Sequence, residues 1–131
     1  MSMAEHLLGF DVGSSSVKAS LVDIANGTVT ASATSPKTEL AIEAPQAGWA
    51  EQHPDLWWEH MGRAVSMLRA EHADAVDRIQ AVGISYQMHG LVIIDSQGRV
   101  LRPSIIWCDS RAVPYGDRAF GELGEERCLR Q

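Results

Sequence analysis

Cysteine is scarce in this sequence: Cys108 and Cys128 are the only two among 131 residues, and they lack CxxC spacing. That argues against a disulfide framework or a zinc site and suits free thiols in a reducing cytosol. Long apolar runs are missing too. The longest are strand-length, far short of the about 20 residues that a membrane span requires. The first six residues, Met1 to His6, offer neither a basic n-region nor an apolar h-region, so no secretory signal is read. A cytoplasmic protein is expected. Positive charge is the minority sign, with 11 Lys and Arg against 17 Asp and Glu and a net charge of −6. The basic residues are scattered, which argues against a nucleic-acid or anionic-membrane partner. No internal repeat, low-complexity tract or linker interrupts the chain.

What is present is the profile of one ordinary globular domain, 45% hydrophobic and 21% charged. His6 to Val12 reads as a buried strand. A second strand follows from about Ser16 to Asp23, where Val17, Ala19 and Leu21 alternate with Ser16, Lys18 and Ser20. Asn26-Gly27 is a strong hairpin signal, since both positions tolerate positive φ, and Thr28 to Ser35 should return antiparallel. Residues 36 to 48 read as an irregular loop. His53-Pro54 opens a helix to about His72, with Trp57, Met61, Ala64, Val65 and Leu68 on one face and the pair Glu59–Arg63 on the other. Ile79 to Ser85 is the next strand. A hairpin is expected from Leu91–Asp95 to Arg99–Leu101, then a short strand Ser104–Trp107 and a helix from Ala112 to Leu123. Residues 125 to 131 look like a further helix cut short. Three antiparallel strands, a helical crossover and more strands in the same sheet make an α/β domain with a mixed sheet.

Three motifs carry chemistry, each at the end of a strand. Asp11-Val12-Gly13-Ser14-Ser15-Ser16-Val17-Lys18 suits a phosphate-binding turn: Gly13 permits close approach, successive N–H groups line the turn, and Asp11 can hold a metal ion through water. A plain polar β-turn capped by Asp11 explains the same residues equally well. It is not a Walker-type loop, because GxxxxGK[ST] is absent. Gln87-Met88-His89-Gly90 would present polar and polarizable groups to a polyol; a structural or solvated His89 is the plain alternative. In Trp107-Cys108-Asp109-Ser110-Arg111, Trp107 suits packing on a sugar face and Asp109 suits accepting hydroxyl protons. Equally, Asp109 or Ser110 can serve as a helix N-cap. If strands 6–12 and 79–85 run parallel, their C-terminal ends share one sheet edge, the place where open α/β sheets bind ligands. Asp11, Met88, His89 and Asp109 would then face one cleft. Trp57 and Met61 read as core, Trp49, Glu51 and Gln52 as loop cover, and His53, His60 and His72 as surface or capping residues.

These residues resemble the FGGY family of carbohydrate kinases, and within it the xylulokinase-type branch. Leu8 to Lys18 is similar to the family's phosphate motif. Gly48-Trp49-Ala50-Glu51-Gln52-His53-Pro54 with Trp57-Trp58 is similar to its G-W-x-E-Q-x-P…W-W signature. Gln87 to Gly90 resembles the substrate loop, and Leu101 to Arg111 its L-R-P-x-I-x-W-x-D-x-R stretch. Ser14 stands where Thr is usual and Ser110 where many relatives carry Gly.

The resemblance implies a ribonuclease H-like (actin-like ATPase) fold of two large domains, and transfer of the ATP γ-phosphate to a ketose, with Mg2+. Carried over by position, Asp11 lies near the metal and the phosphates, and Gly13, Ser14, Ser15 and Lys18 serve Mg-ATP. Met88 and His89 contact the sugar, with Trp107 and Asp109 on the same side. Glycerol kinases carry Arg-Glu where Met88-His89 stand, which points to D-xylulose or another ketose or polyol. Family members are several times longer, so residues 1–131 are expected to be the start of the first domain. The catalytic base and the adenosine-binding segment are expected elsewhere, and the 131-residue chain alone is expected to be inactive. A non-catalytic binding module is the competing reading. A homodimer of the full-length enzyme stays open.

Overall fold

A computed structural model describes residues 5–130. Strands β1 (His6–Val12), β2 (Val17–Asp23) and β3 (Val29–Ser35) form an antiparallel meander. The sheet has the order β3-β2-β1-β5, in which β5 (Ile79–Tyr86) lies parallel to β1. Parallel neighbours need a crossover, and helix α1 (Pro54–Val76) provides it. The β2–β3 turn follows from Asn26-Gly27: Gly27 sits at φ 70°, and the Asn26 side chain accepts from the Thr28 amide at 2.9 Å.

Alternation decides which face of the sheet is covered. Leu8, Phe10 and Val12 of β1 and Val17, Ala19 and Leu21 of β2 are all buried against α1. The helix answers with Ala64 and Leu68, fully enclosed, flanked by Trp57, Met61 and Val65. Pro54 occupies the first turn, and the N-cap His53 accepts from the Asp55 amide through Nδ1 at 3.3 Å. The helix reaches Val76, beyond the expected end. His72 marks that expected end with a non-helical backbone (φ −135°, ψ 44°), and the turn after it delivers Val76 into the core.

One histidine departs from expectation. His60 is 7% exposed and shares a 2.8 Å hydrogen bond with the Ser35 hydroxyl, so it is a core residue rather than a surface one. Its position one turn before Ala64 on the buried face puts it there.

The second half of the chain is built from shorter pieces. Two residues of the stretch read as loop cover, Glu51 and Gln52, form β4, which pairs antiparallel with β6 (Ser104–Ile105) as a separate ribbon. The expected 91–101 hairpin forms as a short one: Ile94 bridges Val100 around the turn, the Asp95 amide donates to the Arg99 carbonyl at 3.0 Å and the Leu101 amide to the Ile93 carbonyl at 3.0 Å. The Asp95 carboxylate binds that turn from within, accepting from the Gln97 and Arg99 amides and from Arg99 Nε. Helices α2 (Val113–Leu123) and α3 (Glu125–Leu129) follow, and neither has a buried residue. Gln131, the end of the last expected helix, lies outside the described residues.

Candidate functional site

The C-terminal ends of β1 and β5 lie side by side, with Val12 opposite Tyr86 and the Gln87 amide donating to the Val12 carbonyl at 3.0 Å. Residues 13–16 and 87–90 therefore leave the sheet at one edge. The turn at Gly13 is tight: its amide donates to the Ser16 carbonyl at 3.0 Å, and a Cβ there would sit 3.2 Å from that oxygen. The Ser14 carbonyl accepts from Gln52 Nε2 at 2.7 Å and the Ser15 carbonyl from the Leu40 amide at 2.7 Å. Among the described residues, no acceptor takes the amides of Ser14 and Ser15. A turn with its carbonyls tied back and its amides unclaimed suits an anion.

Asp11 and Lys18 are cross-strand partners on the sheet face away from α1. Both are exposed, and with Gly9, Phe10 and Ser20 they line a shallow trough of about 260 Å³. The missing side chain of Gly9 leaves that trough open. Asp11 fits a water-mediated metal site, which needs one carboxylate rather than a cage. No group of three or more His, Cys, Asp or Glu able to hold a metal ion occurs among the described residues.

The 87–90 and 107–111 segments meet the turn from the other direction. Leu91 pairs with Ile105, so the 87–90 loop rests on the ribbon. Two residues beyond Ile105, the Trp107 indole N–H donates to Ser14 Oγ at 3.1 Å. This is the direct contact between the first and third motifs. Trp107 and Met88 are exposed, and His89 is held at φ 59°, a left-handed backbone uncommon for a residue with a side chain. His89 lines an apolar groove of about 380 Å³ with Trp57, Trp58, Met61, Tyr86 and Val92. The motifs thus share an edge, yet Asp11 and His89 line different cavities.

Asp109 is the most constrained residue of the set, with a side chain 2% exposed. Arg111 grips both of its oxygens at 2.7–2.9 Å, and the Ala50 amide donates to Oδ2 at 2.6 Å. The Arg111 fork holds this carboxyl far below the usual carboxylate range, against the opposing effect of its burial. Arg111 also reaches Glu51 at 2.7 Å and stacks 3.7 Å over the Trp49 ring. Arg102 meets Glu51 Oε1 at 2.5 Å. The segment read as loop cover is in fact the floor on which the 107–111 loop stands. Its signal was the juxtaposition of Glu and Gln before Pro54, but no periodicity marks a two-residue strand.

The sheet order, the crossover and the turn at the first hairpin define an actin-like ATPase fold, here as part of a domain. The model of the FGGY family of carbohydrate kinases, N-terminal domain, matches residues 6–128. The xylulose kinase of Escherichia coli K12 is 39% identical over 104 residues, 79% of this chain and 20% of that protein. The crystal structure of xylulose kinase from Rhodospirillum rubrum superposes with a TM-score of 0.81 at 28% identity, covering 93% of this chain and 24% of that one. That of gluconate kinase from Lactobacillus acidophilus gives 0.82 at 25% identity, covering 98% and 25%. The chain belongs to the FGGY carbohydrate kinases, whose members use ATP and a divalent metal. It spans about a fifth to a quarter of the length of these relatives. Among the described residues no helix is long and apolar enough to cross a membrane.

Proposed function

We propose that the chain is the N-terminal part of the first domain of an ATP-dependent ketose kinase that converts D-xylulose to D-xylulose 5-phosphate. The observation that carries this reading is the Trp107–Ser14 contact, which joins a sugar-facing aromatic to the phosphate turn at the edge where β1 and β5 end. Phosphoryl transfer depends on holding acceptor and donor in line, and that contact fixes one side chain of each.

In this reading the amides and hydroxyls of Ser14 and Ser15 hold phosphate oxygens, Gly13 keeps the turn tight, and Lys18 balances charge from β2. Asp11 holds Mg2+ through water. When bound, the metal neutralises charge on the phosphates during transfer. Trp107 packs on the sugar, with Met88 and His89 beside it. Asp109 serves the sugar side through the loop it fastens, since its oxygens are occupied by Arg111 and Ala50. The base for the acceptor hydroxyl and the adenosine site come from other parts of the enzyme. The name of the Lactobacillus acidophilus neighbour favours a second reading, gluconate as the acceptor.

The test is a coupled ADP-release assay on the full-length kinase that carries this segment, with D-xylulose, L-ribulose, gluconate and glycerol as acceptors. The highest kcat/KM is expected for D-xylulose, and His89→Ala should raise its KM while leaving that for ATP little changed. A preference for gluconate or glycerol would sink the D-xylulose assignment, and an unmoved sugar KM would remove His89 from the pocket.

A further inference from the structure

Two consecutive polar side chains, Glu51 and Gln52, are almost completely enclosed, at 5% and 1% exposure. Burying polar groups is unfavourable unless each finds partners, and these do. Gln52 Nε2 donates to the Ser14 carbonyl at 2.7 Å and the Ala41 carbonyl at 3.1 Å, while Oε1 accepts from the Trp57 indole at 3.1 Å. Both amide hydrogens and the carbonyl of this carboxamide are thereby used. Glu51 accepts from Arg102 and Arg111, and Arg111 in turn grips Asp109.

The contacts close into a ring. It starts at the Ser14 carbonyl, passes through Gln52, Glu51 and Arg111 to Asp109, and follows the chain back to Trp107. The Trp107 indole then returns to the Ser14 hydroxyl. Ser14 is held on its carbonyl from one side and on its hydroxyl from the other. We propose that Gln52 and Arg111 are positioning residues that together set Trp107 against Ser14, so that the phosphate turn and the sugar-side loop keep one fixed separation. Neither is placed to touch sugar or nucleotide; each acts through the residue it holds. The kinetic consequence rests on the kinase reading above, but the geometric one does not.

The primary test therefore needs no activity. The 131-residue chain has four tryptophans, Trp49, Trp57, Trp58 and Trp107. Their indole N–H signals are separately observable by nitrogen-edited NMR, and Trp107→Phe assigns the one that matters. Gln52→Met keeps the volume and removes the donors and the acceptor. It should shift the Trp57 signal by direct loss of its acceptor and the Trp107 signal by release of Ser14, with Trp58 unchanged. Arg111→Lys should move Trp107 and leave Trp57, and it serves alone if the Gln52 variant does not fold. A Trp107 signal unmoved in Arg111→Lys, or unmoved in a folded Gln52→Met, overturns the inference.

In the full-length kinase, Gln52→Met and Trp107→Phe should each lower kcat/KM for the sugar roughly tenfold, as misplacement at a reacting centre does. The double variant should lose little more than the worse single one, because both act on Ser14. Fully multiplicative losses would show two independent contributions and overturn the ring. An inactive wild type with intact indole shifts would instead reject the kinase reading alone.

Discussion

Asp109 couples charge to geometry at the level of a single residue. Its folded carboxyl ionises far more readily than an ordinary aspartate, whose pKa is 3.8, because Arg111 donates to both oxygens. A depressed carboxylate adds stability that is fully present above the unfolded value and fades only as pH falls towards the folded one. The 107–111 loop should therefore keep its native state from neutral pH down to about 4 and loosen only in stronger acid. The Trp107 indole signal followed from pH 8 downwards checks this. A transition centred near pH 5 or above would mean that the fork does not hold Asp109. The sequence offered Asp109 two roles, hydroxyl-proton acceptor or helix cap. In the structure its oxygens accept from the Arg111 fork and from the Ala50 and Arg111 amides, and α2 starts from Ala112 as N-cap, without a side-chain cap. Spacing shows that Arg111 lies two residues away, but not that Glu51, 60 positions earlier in the chain, completes the pair.

At the scale of elements, α1 is the part that most of the sheet's stability depends on. Leu68 is 3% exposed in the core, while its neighbour Met67 points to solvent at 37%. Leu68→Ala should cost about 3 kcal/mol through lost burial and the cavity left behind. Met67→Ala should stay within about 0.5 kcal/mol, as surface changes do. Urea midpoints of the two variants measure the contrast, and equal losses would mean that the helix does not seat on the sheet as described. These elements were legible because their periods are long: seven-residue strands with clean alternation, and a helical face repeated over five residues from Trp57 to Leu68. The β4–β6 ribbon was not legible. Two-residue strands show no period, and Glu51 and Gln52 are polar residues buried by partners that lie far away in sequence. The 91–101 hairpin was legible from its turn chemistry at Asp95 and Gly98, though its arms are too short to count as strands: they join through the Ile94–Val100 bridge and the Leu101 amide's bond to Ile93.

Across the whole molecule, one face of the sheet is packed and the other is open. α1 covers the face carrying Leu8, Phe10 and Leu21, whereas Asp11 and Lys18 line a trough on the opposite face. β5 ends the sheet, and its Val82, Ile84 and Tyr86 remain exposed even though they share the α1 side with Leu8, Phe10 and Val12. The fold class was legible from the order of elements and the parallel crossover. The separation of Asp11 and His89 into two cavities was not, because which face a loop residue takes depends on backbone turns such as the left-handed one at His89. This arrangement bears on what 131 residues can do by themselves. Phosphoryl transfer requires donor and acceptor to be held in line away from bulk water, with charge stabilised as it develops. Here the turn proposed to hold phosphate is half-exposed, and Asp11 and Lys18 of the trough lie open to solvent. In the loop proposed to face the sugar, the carboxylate nearest Trp107 in sequence is Asp109, which is already saturated by Arg111 and Ala50. On the proposed reading, the acceptor hydroxyl gains no base from that loop. The purified 131-residue chain, given ATP, Mg2+ and D-xylulose, should release no ADP above the sugar-free background. A coupled assay on protein prepared from a host lacking its own xylulose kinase measures this directly. Steady, sugar-dependent release would mean that the open turn and Trp107 suffice, and would move the catalytic base into these residues.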